Sequence, residues 1–310
     1  MQLGHKTPLA IERYLLPAGI AILMTLIYLP LIVHWYDGWL SKSISTEHDY
    51  FSHGIIGLPF AAYIAWTKRK YWQRLLDRSN PLGVALLTLG GIFYLSHLPD
   101  FVNLSFPLVL VGLCLWLKGR PGLNLQKFPL LLAFLATPNQ IPYLLAPYTL
   151  PLQTFIAGTA AFILSQLGID VAVNGIYLFV GGRIVEVAPY CAGLKMLFTS
   201  LYVALMLLYW TGAIAYRNKA TLFLASTVVI SVSANILRNT LLTFFHGTGQ
   251  TSLFDWLHEG WGGDLYSACM LGLLVLLISW IERAFPPGIV DLELDDELDS
   301  EPTPLLLDDR

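Results

Sequence analysis

Charge is what this sequence has least of. Only 13% of its 310 residues are Asp, Glu, Lys or Arg, against a hydrophobic share of 55%, whereas a soluble globular domain carries about 25% charged residues. The deficit lies in long apolar runs, so the medium for most of the chain is lipid. Cysteine is also scarce. Three widely spaced residues make neither a disulfide framework nor a closed zinc site. There is no continuous basic patch, which excludes nucleic acid as a partner. There is no G-x-x-x-x-G-K-[ST] loop for a nucleotide, and no G-x-S-x-G or H-E-x-x-H motif of the common serine and zinc hydrolases. The net charge of −3 also misleads, because nine of the 21 acidic residues fall between Asp291 and Arg310. Without that stretch 17 basic residues face 12 acidic ones.

What is present is a series of apolar segments near 14–34, 51–67, 81–98, 103–117, 128–145, 190–212, 221–245 and 264–282. Each approaches the roughly 20 residues needed to cross about 30 Å of hydrocarbon as a helix. The first is too long for a signal-peptide core and has no small-residue cleavage site after it. Lys68, Arg69, Lys70, Arg74 and Arg78 form the densest basic cluster, followed by Lys118, Arg120 and Lys127, then Arg217 and Lys219. Placing all three in the cytoplasm puts both termini there and the loops near 35–50 and 246–263 outside. The segment 149–168 then fits as an outer interfacial or re-entrant helix, because a full crossing would turn Arg217 and Lys219 outward. Residues 176–180 and 183–187, joined by Gly181-Gly182, read as a β-hairpin, which must lie outside bare lipid. The expected fold is an all-α polytopic membrane protein of about eight transmembrane helices, with an interfacial helix and a small extracytoplasmic hairpin. A single integral membrane domain would span 1–285, followed by an acidic, disordered cytoplasmic tail over 286–310.

Three residues stand out chemically. Cys114 and Cys269 lie mid-span as small hydrophobes. Cys191, in VAPYCAGLKML, opens a helix directly after the hairpin, where amide hydrogens and nearby Lys195 favour a thiolate; ordinary packing is the plain alternative. Arg238 lies inside a span, where a charge costs about 2.5–3.5 kcal/mol. Its helix carries Thr227, Ser231, Asn235, Asn239 and Thr243 at every fourth position, a polar face for a buried cation. Such an arginine either ties helices together or binds a carboxylate or oxyanion. His258, beside Glu259, is a candidate proton carrier, or a loop histidine without a task. The orientation above brings all three to the outer face, where together they suit acyl transfer through a thioester. His48 and His53 lack metal-ligand spacing, and neither a metal nor a cofactor is expected.

APYCAGLKML around Cys191, NILRN around Arg238 and LHEGW around His258, in that order, resemble the exosortase family of membrane cysteine enzymes. YFSHG, which contains His53, and LPLQ followed by LGIDVAVNG resemble it too, so the likeness runs from about 45 to 283. The family usually has serine where Ala192 stands and arginine where Lys195 stands. YFSHG, AAYIAW and the acidic tail faintly resemble the cyanobacterial branch. The resemblance implies cleavage of secreted proteins at a C-terminal Pro-Glu-Pro-like sorting signal, on the outer side of the cytoplasmic membrane. The new carboxyl end would pass to an acceptor such as a lipid or surface polysaccharide. Cys191 would be nucleophile, His258 the proton carrier and Arg238 the oxyanion or motif-binding cation, with Lys195, Asn235, Asn239, His53 and Glu259 binding or supporting. A different class remains open on the residues alone: a transporter or lipid-binding protein whose Arg238 and His258 line an anion pathway.

Overall fold

Backbone amides in lipid must be satisfied within their own segment, and helices supply nearly all the structure. The computed structural model describes residues 9–40, 50–187, 193–258 and 260–286. In chain order the helices are α1 (Leu9–Leu40), α2 (Gly54–Thr67), α3 (Arg69–Arg74), α4 (Pro81–Leu95), α5 (Pro99–Ala136), α6 (Ile141–Leu145) and α7 (Leu150–Gln166). Strands β1 (Val171–Asn174), β2 (Tyr177–Val180) and β3 (Arg183–Glu186) follow, then α8 (Leu194–Trp210), α9 (Arg217–Gly247), α10 (Thr251–His258) and α11 (Trp261–Ala284). Proline and Asx chemistry set several starts: Pro81 and Pro99 stand in the first turns of α4 and α5, and the Asn80 side chain accepts from the Leu82 amide.

α5 is a helical hairpin. Gly119 breaks it with φ 62° and ψ −152°. A Cβ at Gly122 would lie 3.1 Å from the Cys114 carbonyl oxygen, eight residues back, which a straight helix would hold about 12 Å away along its axis. The chain therefore reverses at Gly119, and the two arms match the spans expected at 103–117 and 128–145. The second arm ends at Ala136, earlier than expected. Thr137 is extended at ψ 120°, as the residue before a proline prefers to be. Pro138 thus ends the helix, and α6 is a separate short turn of chain.

The bundle has one basic end. Lys68 Nζ donates to the Leu125 carbonyl at 3.0 Å and lies 5.4 Å from the centre of the Tyr209 ring. Lys118 Nζ meets the Leu75 carbonyl at 2.7 Å and Asp77 at 2.5 Å. Lys219 stands 3.9 Å from Glu282. All three basic clusters of the sequence gather here, as expected. At the opposite end Trp35 Nε1 donates to Asn103 at 2.8 Å, and Leu194 packs with Trp35, Trp39, Tyr50 and Phe51. With α5 counted as two arms, the described residues hold eight apolar helical segments that run between these ends, besides α7. The chain is an all-α polytopic membrane protein. Among the described residues, and with α5 taken as one helix, five helices are long and apolar enough to cross a membrane, and α2, α4 and α8 are shorter apolar helices.

By length and composition Pro147–Gln166 is one of those five, but its packing keeps it away from the basic end. Gln153 Nε2 donates to the Val187 carbonyl at 3.0 Å. Ile156, Ala157, Ala160 and Ala161 pack with Leu178, Val187 and Val171, and against Ile236 of α9. The sheet therefore lies along the last turns of α9, from Ile236 to Gly247, and α7 lies beside it. The sheet has three antiparallel strands in the order β1-β2-β3, one more than the expected hairpin. Gly181 and Gly182, at φ 56° and 75°, form the turn joining β2 and β3. The added strand is the short VAVN run, which pairs Val171 with Val180 and Asn174 with Tyr177.

Candidate functional site

The polar stripe of α9 turns inward. Thr227, Ser231, Asn235, Asn239 and Thr243 are all buried, which a four-residue repeat on one helix face allows. Asn239 Nδ2 donates to the Asn235 carbonyl at 2.9 Å, so part of the stripe satisfies itself along its own helix. Three residues after Asn235, Arg238 is half-buried. Its Nη2 donates to the His258 carbonyl at 3.4 Å, and its Nε is buried without a hydrogen-bond partner. A Cβ at Gly263 would lie 3.8 Å from Arg238 Nη2. The guanidinium is thus held where α9, the end of α10 and the start of α11 converge. One turn away Tyr266 donates to the Ala234 carbonyl at 2.6 Å, clamping α11 to α9.

His258 is half-buried at the end of α10. Its ring stacks on Phe254 at 5.1 Å with planes 12° apart, and Phe254 in turn lies 5.1 Å from the His246 ring. The imidazole therefore has a fixed aromatic face beside the carbonyl that Arg238 holds.

The third element enters through Gly193, the residue before α8. Its φ of +85° belongs to the left-handed region, and a Cβ there would lie 2.7 Å from Asn235 Cγ and Nδ2. Glycine is needed at this position on both counts. The start of α8 is thereby pressed onto α9 one turn from Arg238. Cys191 and Glu259 lie outside the described residues. Lys195 stands in the first turn of α8 and is partly buried. The structure thus brings Arg238, the His258 backbone, Asn235 and the start of α8 together.

His53 has other neighbours. Its Nε2 is 3.1 Å from the Leu135 carbonyl, and its ring lies 4.4 Å from the Tyr202 ring and 6.0 Å from Phe51. It is buried where α2, the second arm of α5 and α8 meet. Gly193, Gly263 and Tyr266 were not singled out from sequence. The glycines that adjoin the cysteine and histidine segments were the available signal. Among the described residues no group of three His, Cys, Asp or Glu side chains is arranged for a metal ion.

A comparison with curated proteins and with solved structures finds no match. A family model described as transmembrane exosortase matches residues 35–275, more than three quarters of the chain. The match takes in α2 to α10 and every residue of the convergence just described. Membership supports a membrane protease or transpeptidase role in protein sorting. This chain belongs to the transmembrane exosortase family.

Proposed function

We propose that the chain is a cysteine peptidase or transpeptidase that cleaves the C-terminal sorting signal of secreted proteins at the extracytoplasmic rim of the cytoplasmic membrane. The observation that carries this reading is the convergence of Arg238, the His258 segment and Gly193. Cys191 stands two positions before Gly193 in the sequence, and Gly193 is packed on Asn235. Along α9, Arg238 stands 21 residues beyond Arg217, about 32 Å at 1.5 Å per residue. With the basic end in the cytoplasm, as the positive-inside rule favours, that rise carries the guanidinium across about 30 Å of hydrocarbon to the outer rim. Both termini then lie in the cytoplasm.

The Cys191 thiolate attacks the scissile carbonyl. Negative charge develops on its oxygen, where a fixed guanidinium in a poorly solvated site stabilises it most. As the C–N bond breaks, the departing amine takes a proton from the His258 imidazolium and a thioester remains on Cys191. Neutral His258 then takes a proton from the acceptor nucleophile, a hydroxyl or amine of a lipid or polysaccharide, or water. The acceptor's attack frees the sulfur as thiolate. Asn235 and Asn239 hold the shared face of α9, Lys195 adds charge from the first turn of α8, and Glu259, next to His258 in sequence, adds the opposite charge. His53, on the α2–α8 side, would support the fold beneath it.

The test is co-expression with a tagged secreted protein that ends in a Pro-Glu-Pro-like motif, an apolar helix and a basic cluster. Wild-type protein should yield a shortened product whose new carboxyl end is defined by mass spectrometry. Cys191→Ala should accumulate to wild-type level and yield none. Normal processing by that variant would sink the proposal.

A further inference from the structure

Away from the convergence, a groove of about 720 Å³ runs between α1, α2 and the two arms of α5. Its walls are almost wholly apolar, and alanines 61, 62 and 65 of α2 leave the space. Along the first arm of α5 it extends from Phe106 to Leu117, eleven residues or about 16 Å. That is close to half of a hydrocarbon core about 30 Å thick, so the groove has the depth of one leaflet.

The groove ends among cations. Arg69, Trp72 and Gln126 line it there. The exposed Arg69 guanidinium stacks on Trp66 at 4.5 Å, and its Nη1 donates to the Trp66 carbonyl at 3.1 Å. Among the described residues no acidic group pairs with it, and the lining contains neither Asp nor Glu. Burial, and after it repulsion from Lys127, holds the neighbouring Lys68 below its usual range. Gln126 is only 8% exposed, and its Oε1 has no hydrogen-bond partner. An apolar trough of single-leaflet depth, closed by a basic mouth with tryptophans at interfacial depth, has the chemistry of a lipid with a negative headgroup.

We propose that this groove is a site for one anionic phospholipid from the leaflet at the basic end, with an acyl chain along the first arm of α5 and its phosphate on Arg69. The Gln126 carboxamide leaves an acceptor for a hydroxyl of the glycerol headgroup. A substrate's anchor helix fits less well. It is about 10–12 Å across with side chains, and the basic cluster that follows it would place like charge on Arg69.

Native mass spectrometry of the full chain in a non-ionic detergent, titrated with phosphatidylglycerol or phosphatidylcholine, tests the site. Wild-type protein should retain one phosphatidylglycerol, with occupancy about fivefold above phosphatidylcholine for the contribution of one cation. Arg69→Ala, at an exposed position, should keep the wild-type melting temperature and make the two lipids equivalent. Leu113→Trp, which fills the groove, should release both. Equal binding of the two lipids by wild-type protein, unchanged selectivity in Arg69→Ala, or unchanged retention in Leu113→Trp would overturn the proposal in favour of annular lipid. Displacement of the phosphatidylglycerol by a peptide copy of the anchor helix would overturn it in favour of substrate. Processing does not enter any readout, so failure here would leave the reading of Cys191 standing.

Discussion

At the scale of single residues, the site depends on close approach as much as on reactive groups. Gly193 must adopt φ +85° and also leave room for Asn235. An L-residue in the left-handed region costs roughly 1–2 kcal/mol, and Gly193→Ala adds a collision with Asn235. The variant should therefore lower the thermal midpoint of the purified protein and reduce substrate processing. Removing the neighbour separates the two causes. An Asn235→Ala background removes the two contacts at 2.7 Å and leaves the Cβ of residue 235 at 3.0 Å, so most of the collision is relieved and the two substitutions should be less than additive in a double-mutant cycle. A wild-type melting curve for Gly193→Ala would contradict the contact. The sequence made Arg238 legible, because a cation within an apolar run demands an explanation, and the four-residue polar repeat showed which way it faced. Gly193 was not legible in the same way, since nothing in CAGLKML says which helix will press against it. His53 illustrates the reverse: its segment was conspicuous, yet its contacts are with Tyr202 and the Leu135 carbonyl, partners distant in sequence.

At the scale of elements, reversals of direction are set by a few backbone positions. The hairpin of α5 turns at Gly119, where φ 62° and ψ −152° are essentially closed to other residues. A Cβ there would also lie 2.9 Å from the Arg78 carbonyl oxygen. Gly119→Ala should destabilise the protein by about 1–3 kcal/mol, read as a lower melting temperature in detergent. Gly158→Ala is the matched control. That glycine lies within α7 with nothing within 4 Å of an added Cβ, and alanine there should be neutral or stabilising by up to about 1 kcal/mol. Equal stability of the two variants would mean that the turn at Gly119 is not required. The two arms could be read from sequence because Lys118, Arg120 and Lys127 interrupt the apolar pattern between them. The third strand could not. VAVN is short, and only its pairing with β2 makes it a strand, whereas the β2–β3 turn announced itself through Gly181-Gly182. The early end of the second arm follows from Pro138, whose effect on Thr137 an apolar-run reading overlooks.

At the scale of the molecule, the two ends of the bundle differ in kind, and that difference makes a topology that can be tested. Lys68, Lys118 and Lys219 lie at one end, the first two hydrogen-bonded to Leu125 and to Leu75 with Asp77, the third 3.9 Å from Glu282. Arg238, the sheet and the close of α9 lie at the other, where Arg183 Nη1 donates to the His246 carbonyl at 3.1 Å. α7 is long and apolar enough to cross, but Gln153 and Val171 hold it beside the sheet, a placement that predicts no added crossing between these ends. Single cysteines introduced by Arg78→Cys, Arg120→Cys and Arg217→Cys should therefore share one response to a membrane-impermeant thiol reagent. Gly182→Cys and Thr248→Cys should share the opposite one. With Cys191, Cys114 and Cys269 replaced by serine or alanine, whole cells should label Gly182→Cys and Thr248→Cys, and inverted vesicles should label the other three. If α7 crossed the membrane, everything after it would invert. Arg217→Cys would then label from the outside while Arg78→Cys stayed protected. That pattern would separate the Lys219 cluster from the Lys68 cluster and place Arg238 near the wrong leaflet for a secreted substrate.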